Sequence, residues 1–299
     1  MRRIVVGSRD SKLAVLQSMT VVDHINETMD DAFAELQTMK TTGDKILDRT
    51  LDKVGGKGLF VKELDLALQL GRVDITVHSL KDVPMELTEG LPLIAFSKRE
   101  DPRDVLILPE GVTEMDPSKP IGSSSLRRVL QLKKIFPDYK IEPVRGNLQT
   151  RLRKLDEGQF CALVLAAAGI KRLGLENRIS RYFTVDEIIP AAGQGIIAVQ
   201  GRDGEDYEYL EGYEDPKSRY AAICERAYVT ELNGGCTSPV CAHAQIDGDL
   251  ITLRALYFDD ASEQYWTETK TGTVKNAEKL GIDLARKMKQ KADKQQEDL

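Results

Sequence analysis

The chain has 299 residues, of which 41% are hydrophobic, with 23 glycines and 11 prolines. This length and composition predict a globular protein of about two or three domains, with enough residues to bury a core. The net charge of −6 argues against nucleic acid as the default partner.

The sequence shows no pattern typical of a signal peptide, a membrane span or a disulfide framework. The N-terminus turns polar directly after Gly7, so it lacks the apolar core of a signal peptide, and no apolar run approaches the roughly 20 residues that span a membrane. The four cysteines do not make a disulfide framework. We therefore expect a cytoplasmic protein without a membrane partner.

The charge is distributed unevenly. Residues 121–181 contain eight Arg and five Lys against five acidic residues, a local charge of +8, so the remainder carries −14. A solvated basic face would explain this excess, but Arg outnumbers Lys, and Arg suits fork-like recognition of carboxylate or phosphate. The segment indicates a localised anion site.

The first predicted strand, residues 3–6, leads through a Gly-Ser turn into a helix. Such a turn presents backbone N–H groups that can hold an anion, and Arg9 lies within it, although any strand-to-helix loop has this pattern. A second strand is predicted over residues 33–39. The hydrophilic loop at residues 42–58 lacks a Gly-Lys-Ser/Thr ending, so it is a functional lid or disordered rather than a phosphate-binding loop.

Apolar and polar residues alternate over 74–78, which predicts a short strand. Pro84 prevents a long helix from following, so the strand brings Lys81 and Asp82 to its C-terminal end, which faces the ligand crevice in α/β folds. Alternatively, Ser79 caps a helical turn with Asp82 at its third position, a variant of the capping box. The segment alone leaves both interpretations open.

Two further apolar strands are predicted over residues 91–98 and 104–108. The charged segment that joins them, residues 99–103, contains a proline. It could be a crossing between domains.

Arginines cluster at the start of the next predicted helix. Ser124 or Ser125 is a good N-cap for a helix that begins at Leu126. Arg127 and Arg128 then fall in its first turn, where a cation opposes the helix dipole. This placement costs stability unless an anion lies there, so it favours a functional role.

The same pattern recurs twice. A strand at residues 141–144 precedes Arg145, Asn147 is a good N-cap for the next helix, and Arg151 follows in that helix. A buried strand at residues 160–168 precedes Arg172. Three strand ends that each offer arginine predict a site for several carboxylates or a polyphosphate.

The region from Gly234 to the end predicts a small α+β domain. A helix over residues 218–232 ends at glycines, which are a C-cap signal. A hairpin across residues 250–271 and a final helix follow. Cys236 comes directly after the glycines, so its thiol is accessible and suited to holding a group covalently.

The thiols do not predict a metal site. Cys236, Cys241 and His243 have a C-x4-C-x-H spacing that lacks a fourth ligand and the usual short pair. A thiol hydrolase would also need a positioned histidine. Asp82, an acid beside a lysine at a strand end, is the best candidate for a general acid or base.

Together these motifs resemble the hydroxymethylbilane synthase family, also called porphobilinogen deaminases, over essentially the whole length. The resemblance rests on the following segments: Gly7-Ser8-Arg9-x-Ser11-x-Leu13-Ala14, Gly55-Gly56-Lys57-Gly58-Leu59-Phe60, His78-Ser79-x-Lys81-Asp82-Val83-Pro84, Arg99-Glu100-Asp101-Pro102-Arg103-Asp104, Gly122-x-Ser124-Ser125-x-Arg127-Arg128, Arg145-Gly146-Asn147 with Arg151, Pro190-Ala191-x-Gly193-Gln194-Gly195 and Gly234-Gly235-Cys236.

The resemblance implies an α/β fold with two periplasmic-binding-protein-like (type 2) lobes plus a small C-terminal α+β domain. Domain 1 would be discontinuous, residues 1–98 and 194–216, with the catalytic aspartate and the lid loop. Domain 2, residues 99–193, would be the arginine-rich lobe, and domain 3, residues 217–299, would carry the cysteine loop.

The resemblance also implies the chemistry. The family joins porphobilinogen units head to tail with loss of ammonia, then releases the linear tetrapyrrole hydroxymethylbilane by hydrolysis. Its dipyrromethane cofactor would be attached by a thioether to Cys236. Loss of ammonia leaves an electron-poor azafulvene, whose charge a carboxylate can stabilise, and Asp82 matches the family's catalytic aspartate.

Site residues follow by position. Cofactor binding is implied for Lys81, Asp82, Ser124, Ser125, Arg127, Arg128, Arg145 and Gly146. Substrate binding is implied for Arg9, Ser11, Arg145, Arg151, Arg172 and Gln194, and for the lid residues Lys53, Lys57 and Phe60.

Two departures from the family pattern affect the cysteine loop. Thr237 and Ser238 follow Cys236 where many relatives have a polar residue and then valine. Cys241 adds a second thiol where glycine or alanine is common. The glycines beside Cys236 favour it as the modified residue, but modification of Cys241 and oxidation of the two thiols together stay open.

Two other functions remain as alternatives. A two-lobed binding or sensor protein for a polycarboxylate would use the same arginines, but it gives no reason for an accessible cysteine or for Asp82. A nucleic-acid binder needs aromatic stacking platforms, and only 6% of the residues are aromatic. We expect a monomeric enzyme with porphobilinogen as its small-molecule partner.

Overall fold

The computed structural model describes residues 1–45, 58, 61–234, 239–259 and 262–297. One sheet and its helices form a first lobe, which comprises β1 (Arg2–Arg9), α1 (Lys12–Thr28), β2 (Ala32–Met39), α2 (Thr42–Lys45), α3 (Lys62–Gln69), β3 (Ile75–Ser79), β4 (Leu93–Phe96) and β10 (Ile197–Gln200). The second lobe comprises β5 (Asp104–Ile107), β6 (Ile121–Gly122), α4 (Leu126–Ile135), β7 (Ile141–Glu142), α5 (Leu148–Asp156), β8 (Ala162–Ala166), α6 (Ala167–Arg172) and β9 (Arg181–Tyr182). The C-terminal unit comprises α7 (Pro216–Glu231), β11 (Cys241–Asp247), β12 (Leu250–Asp259), β13 (Gln264–Thr273) and α8 (Ala277–Glu297).

The sheets of the two lobes share one topology. The first has the order β2-β1-β3-β10-β4 and the second the order β7-β6-β8-β5-β9. In each, the first three strands are parallel and the last two each run antiparallel to the preceding strand. The C-terminal sheet β11-β12-β13 is wholly antiparallel. The predicted fold class, two α/β lobes plus a small α+β unit, is confirmed by these sheets and their helices.

The chain crosses between the two lobes twice. The first crossing joins β4 to β5 and contains the predicted joint at residues 99–103. The second returns the chain from β9 to β10, which pairs with β3 and β4 in the first sheet. Both crossings lie near the carboxyl ends of the parallel strands, where ligands bind in open α/β sheets.

Each unit has its own hydrophobic core. In the first lobe, Ile4 and Val6 on β1 pack with Val21 and Ile25 on α1, and all four side chains are fully buried. Burial of each such side chain contributes about 1.5–3 kcal/mol. The apolar spacing along α1 therefore directs one helix face onto the sheet.

Three local details differ from expectation. The buried strand β8 ends at Ala166, two residues before the predicted end of the strand, and α6 begins directly after it. β11 was not predicted, because its buried residues include Ala242 and Ala244, whose type is depleted in strands. Asn233, rather than a glycine, takes the left-handed conformation after α7, with φ 52°.

Candidate active site

A cavity of about 950 Å³ lies between the two lobes. This volume falls in the range typical of small-molecule sites. Many predicted site residues line it: Arg9, Ser11, Lys81, Asp82, Arg128, Arg145, Gly146, Arg151, Arg172 and Gln194. These residues are far apart in the sequence and belong to both lobes, but they line the same cavity.

The cavity wall is strongly cationic. Among the residues that the structure describes, its charged residues are nine bases, Arg9, Lys12, Lys40, Lys81, Arg128, Arg145, Arg151, Lys154 and Arg172, and two acids, Asp10 and Asp82. Sequence reasoning missed Lys12, Lys40 and Lys154. Lys154 could have been found, because it follows Arg151 by three residues on α5 and so shares its helix face.

Asp82 ends a short 3-10 helix, Leu80–Asp82, directly after β3. The Leu80 side chain is fully buried, and its backbone N–H donates to the Ile196 carbonyl at 3.0 Å, which fixes the turn. The Ser79 hydroxyl makes no capping bond to this helix. It exchanges hydrogen bonds with the Gln17 amide at 2.9 and 3.0 Å, so the capping-box interpretation is wrong.

The segment after Asp82 is held by the C-terminal unit. The Arg226 guanidinium on α7 donates to the carbonyls of Val83 at 3.3 Å, Pro84 at 2.6 Å and Met85 at 3.1 Å. Since Asp82 directly precedes these residues, α7 contributes to its position at the cavity wall.

Arg127 and Arg128 share one buried carboxylate. Arg127 Nη1 lies 2.6 Å from Asp104 Oδ2, and Arg128 Nη2 lies 2.7 Å from Asp104 Oδ1. Burial alone would raise the pKa of Asp104, but the two guanidinium groups hold it well below its usual range. Only Arg128 lines the cavity, because Arg127 Nη1 also donates to the Ile189 carbonyl at 2.7 Å. Asp104, the first residue of β5, was not predicted as a site residue.

The turn before α5 holds two further arginines. Gly146 has φ 115°, and a Cβ atom there would lie 2.6 Å from the Thr150 side chain, so the turn requires glycine. Its carbonyl accepts a hydrogen bond from Arg151 Nε at 2.8 Å. Burial, together with the charges of Arg128 and Arg145, lowers the pKa of Arg151 to about 10.

Arg172 and Lys81 face the cavity from other elements. Arg172 Nη2 donates to the Gly195 carbonyl at 2.7 Å, and burial lowers the pKa of Arg172. Lys81 Nζ donates to Gln194 Oε1 at 3.4 Å. Burial lowers the pKa of Lys81 to about 8, against the opposing effect of Asp82.

Other predicted site residues lie elsewhere. The Ser124 hydroxyl donates to the Val144 carbonyl at 2.7 Å, and Ser125 is the N-cap of α4 without a side-chain capping bond. Neither lines the cavity. The predicted residues Lys53, Lys57, Phe60 and Cys236 lie outside the residues that the structure describes.

The second thiol near the cysteine loop is buried. Cys241 begins β11, is fully buried and packs with Ile189 and Leu256. Burial raises the pKa of its thiol to about 12. Such a thiol is protonated near neutral pH and inaccessible to a ligand in the cavity.

The described part of the chain has neither a helix that could span a membrane nor a cluster of metal ligands. No helix there combines the length and apolarity that a bilayer span requires. No group of three or more His, Cys, Asp and Glu side chains in these ranges could hold a metal ion.

Two family models match the chain. The porphobilinogen deaminase dipyromethane cofactor binding domain matches residues 4–210, and the porphobilinogen deaminase C-terminal domain matches residues 219–290. Among solved structures, the probable amino-acid ABC transporter extracellular-binding protein YtmK from Bacillus subtilis is similar with a TM-score of 0.40 and 12% identity, over 69% of this chain and 86% of that one.

Curated relatives are similar over nearly the full length. The porphobilinogen deaminase of Ruminiclostridium cellulolyticum is 57% identical over 96% of this chain and 98% of its own length. That of Acetivibrio thermocellus is 55% identical over 97% and 99%, and that of Geobacter sulfurreducens is 42% identical over 96% and 92%. With both domains matched and relatives of this identity, the chain belongs to the porphobilinogen deaminase family.

Proposed function

We propose that this protein is a hydroxymethylbilane synthase. It joins porphobilinogen units head to tail onto a bound dipyrromethane primer, with loss of ammonia, and then releases hydroxymethylbilane by hydrolysis. The observation that carries the proposal is the cavity wall, where nine cationic side chains of the described residues line the same cavity as Asp82. A polycarboxylate sensor would need the cations but has no use for Asp82.

The cavity fits a dipyrromethane. Each of its rings carries an acetate and a propionate, which need fixed cationic partners. The Nε atoms of Arg128 and Arg145 are buried and have no hydrogen-bond partner within the described ranges. Both residues line the cavity, which supports their guanidinium groups as partners of ligand carboxylates. When bound, the dipyrromethane supplies the terminal pyrrole carbon to which the next ring is joined.

Arginines from both lobes hold the substrate. Arg9 comes from the end of β1, whereas Arg145, Arg151 and Arg172 come from the second lobe. Each arginine positions one or more carboxylates of the substrate. Together they exclude the substrate orientation that would bring a carboxylate, rather than the reacting carbon, to Asp82. Binding energy from groups remote from the reacting carbon thus fixes the approach of the ring.

Asp82 is the catalytic residue in this proposal. Loss of ammonia from porphobilinogen leaves positive charge spread over the pyrrole nitrogen. A carboxylate at the cavity wall stabilises that charge and exchanges a proton with the pyrrole N–H. Leu80 and Arg226 hold the turn, so the carboxylate is preorganised.

Covalent attachment through Cys236 is part of the proposal. Cys241, the second thiol near this loop, is buried in the core beside Ile189, which argues against Cys241 as the attachment site. Gly234, two residues before Cys236, lies against Val229 and Val240. A side chain at Gly234 would crowd both, so this position favours glycine.

The proposal includes the organisation of the chain. Residues 1–98 with 194–216, 99–193 and 217–299 form its three domains, supported by the pairing of β10 with β3 and β4. The unpaired thiols Cys161, Cys224 and Cys241 support a reducing cytoplasm. The proposal takes a monomer as the active unit.

Intact mass and substrate consumption test the proposal together. The purified protein should carry an excess mass of two linked pyrrole units, absent in Cys236→Ser and retained in Cys241→Ser. Wild-type protein should also consume porphobilinogen. An unmodified wild-type mass together with no consumption would reject the enzyme assignment, and an excess mass lost only in Cys241→Ser would reject Cys236.

A further inference from the structure

Gln194 lies on the second crossing and links the two lobes. Its side chain is 1% exposed. Nε2 donates to the Pro102 carbonyl at 2.7 Å and to Asp104 Oδ1 at 3.0 Å, and Oε1 accepts from Lys81 Nζ at 3.4 Å. Both N–H groups of the Gln194 amide therefore donate toward the second lobe, and its side-chain oxygen faces Lys81 of the first lobe.

The orientation of this amide is fixed by charge. A flipped amide would turn its NH2 group toward the Lys81 ammonium and its oxygen toward the Asp104 carboxylate, and both contacts would be repulsive. Asp104 is itself immobilised, since it is fully buried and accepts hydrogen bonds from Arg127 and Arg128. Gln194 is thus held on a rigid base.

Lys81 lies among charges of both signs. Asp82 is its neighbour on the 3-10 helix, Asp104 faces it from β5, and Arg127 and Arg128 face it from α4. Burial and the arginines favour the neutral amine, whereas Asp82 and Asp104 favour the ammonium. A carbonyl oxygen that accepts from Nζ also favours the ammonium.

We infer that Gln194 is a positioning residue, which ties Lys81 of the first lobe to Asp104 of the second and thereby keeps a charged Lys81 at the cavity wall. Gln194 also lines the cavity, so this role can coexist with the predicted role in substrate binding. The contact between Gln194 and Lys81 does not depend on the proposed function. Its consequence for substrate binding rests on the proposed function.

Amine labelling of Gln194→Met tests the contact directly. The purified protein, with whatever cofactor it carries, is treated with acetic anhydride across a range of pH, and the Lys81 peptide is quantified by mass spectrometry. The midpoint of Lys81 labelling should fall by about half a pH unit or more, because a partner of the charged form is lost. Lys171, which pairs with Glu100 away from this contact, is the internal reference and should not change.

Gln131→Met is the matched control. Gln131 is also a buried amide, 4% exposed, but it contacts Ile189 and Cys241 instead of Lys81. It should lose stability without moving the Lys81 midpoint. The KM for porphobilinogen should begin to rise at lower pH in Gln194→Met than in wild type, by the same interval, and not in Gln131→Met.

The outcomes separate the two proposals. An unchanged Lys81 midpoint in Gln194→Met, or an equal shift in Gln131→Met, would overturn the inference. A shifted midpoint in a protein that consumes no porphobilinogen supports the inference and rejects the proposed function. If Gln194→Met does not fold, Gln194→Asn is measured, since its shorter side chain cannot span from Asp104 to Lys81, and an unchanged midpoint there overturns the inference equally.

Discussion

Glu225 accepts a hydrogen bond from the backbone N–H of Gly193 at 2.7 Å, which joins helix α7 to the second crossing between the lobes. The same carboxylate accepts from Arg99 at 2.8 Å, on the first crossing, and from the Ala244 N–H at 2.6 Å on β11. Gly193 has φ 75°, and a Cβ atom there would lie 2.5 Å from Leu80. One buried side chain of the C-terminal unit thus contacts both crossings beside the turn that carries Asp82.

Glu225→Gln should therefore be strongly destabilising. The glutamine NH2 group would face N–H donors, and the Arg99 guanidinium would lose its buried partner, so we expect a loss of about 3–5 kcal/mol in the free energy of unfolding. Urea denaturation measures it. Glu231→Gln on the same helix is the control, because its pair with Arg286 is exposed and worth about 1 kcal/mol or less. Equal losses in both variants would contradict the role of Glu225.

Asp82→Asn should keep the fold and the mass excess but lose turnover. Asparagine has a similar shape but no charge and accepts no proton, so kcat should fall by about 10²–10⁴-fold. Single-turnover ammonia release measures this. Asp10→Asn, which removes the other carboxylate of the cavity wall, should remain within about tenfold of wild type. Normal turnover in Asp82→Asn would mean that another residue is catalytic.

Arg151 and Arg153 offer a matched pair on α5. Arg151 lines the cavity, whereas Arg153 is exposed and pairs with Glu157. Loss of a charged hydrogen-bond donor costs about 1.5–3 kcal/mol, so Arg151→Leu should raise the KM for porphobilinogen about ten- to hundredfold. Arg153→Leu should change it by no more than about twofold. Similar KM values for the two variants would remove Arg151 from the site.

Buried histidines should make the protein sensitive to acid. Burial lowers the pKa values of His78 and His243 to about 4, below the value of about 6.5 in an unfolded chain. The unfolded state therefore binds more protons between these values. The stabilising effect is fully present above about pH 6.5 and is lost as the pH falls toward about 4.

Urea denaturation at a series of pH values checks this expectation. The free energy of unfolding should decline between about pH 6.5 and 4, and the decline should be shallower in His78→Gln, which removes one of the two titrating groups. Thr76 Oγ1 lies 2.9 Å from His78 Nε2 and can bond the glutamine instead. A slope unchanged by His78→Gln would show that His78 does not contribute.

The local structure and the chemical type of the site can be predicted from the amino-acid sequence. Asn147 was predicted to cap a helix, and its side chain accepts from the Thr150 N–H at 2.9 Å. Arginines at successive strand ends predicted an anion site, because parallel strand ends meet at one sheet edge. These features depend on residues close together in the chain, so spacing alone reveals them.

Which side chains face the cavity depends on long-range contacts that the sequence does not reveal. Arg127 and Arg128 look equivalent in sequence, but successive helix residues point about 100° apart, and Asp104 with the Ile189 carbonyl holds Arg127 in the interior. Gln194, predicted to bind substrate, lines the cavity, and its amide also makes a buried contact between the lobes. Both outcomes depend on partners far away in the chain. Arg127 meets Asp104 when the second lobe folds, and Gln194 meets Lys81 when the second crossing brings the two lobes together.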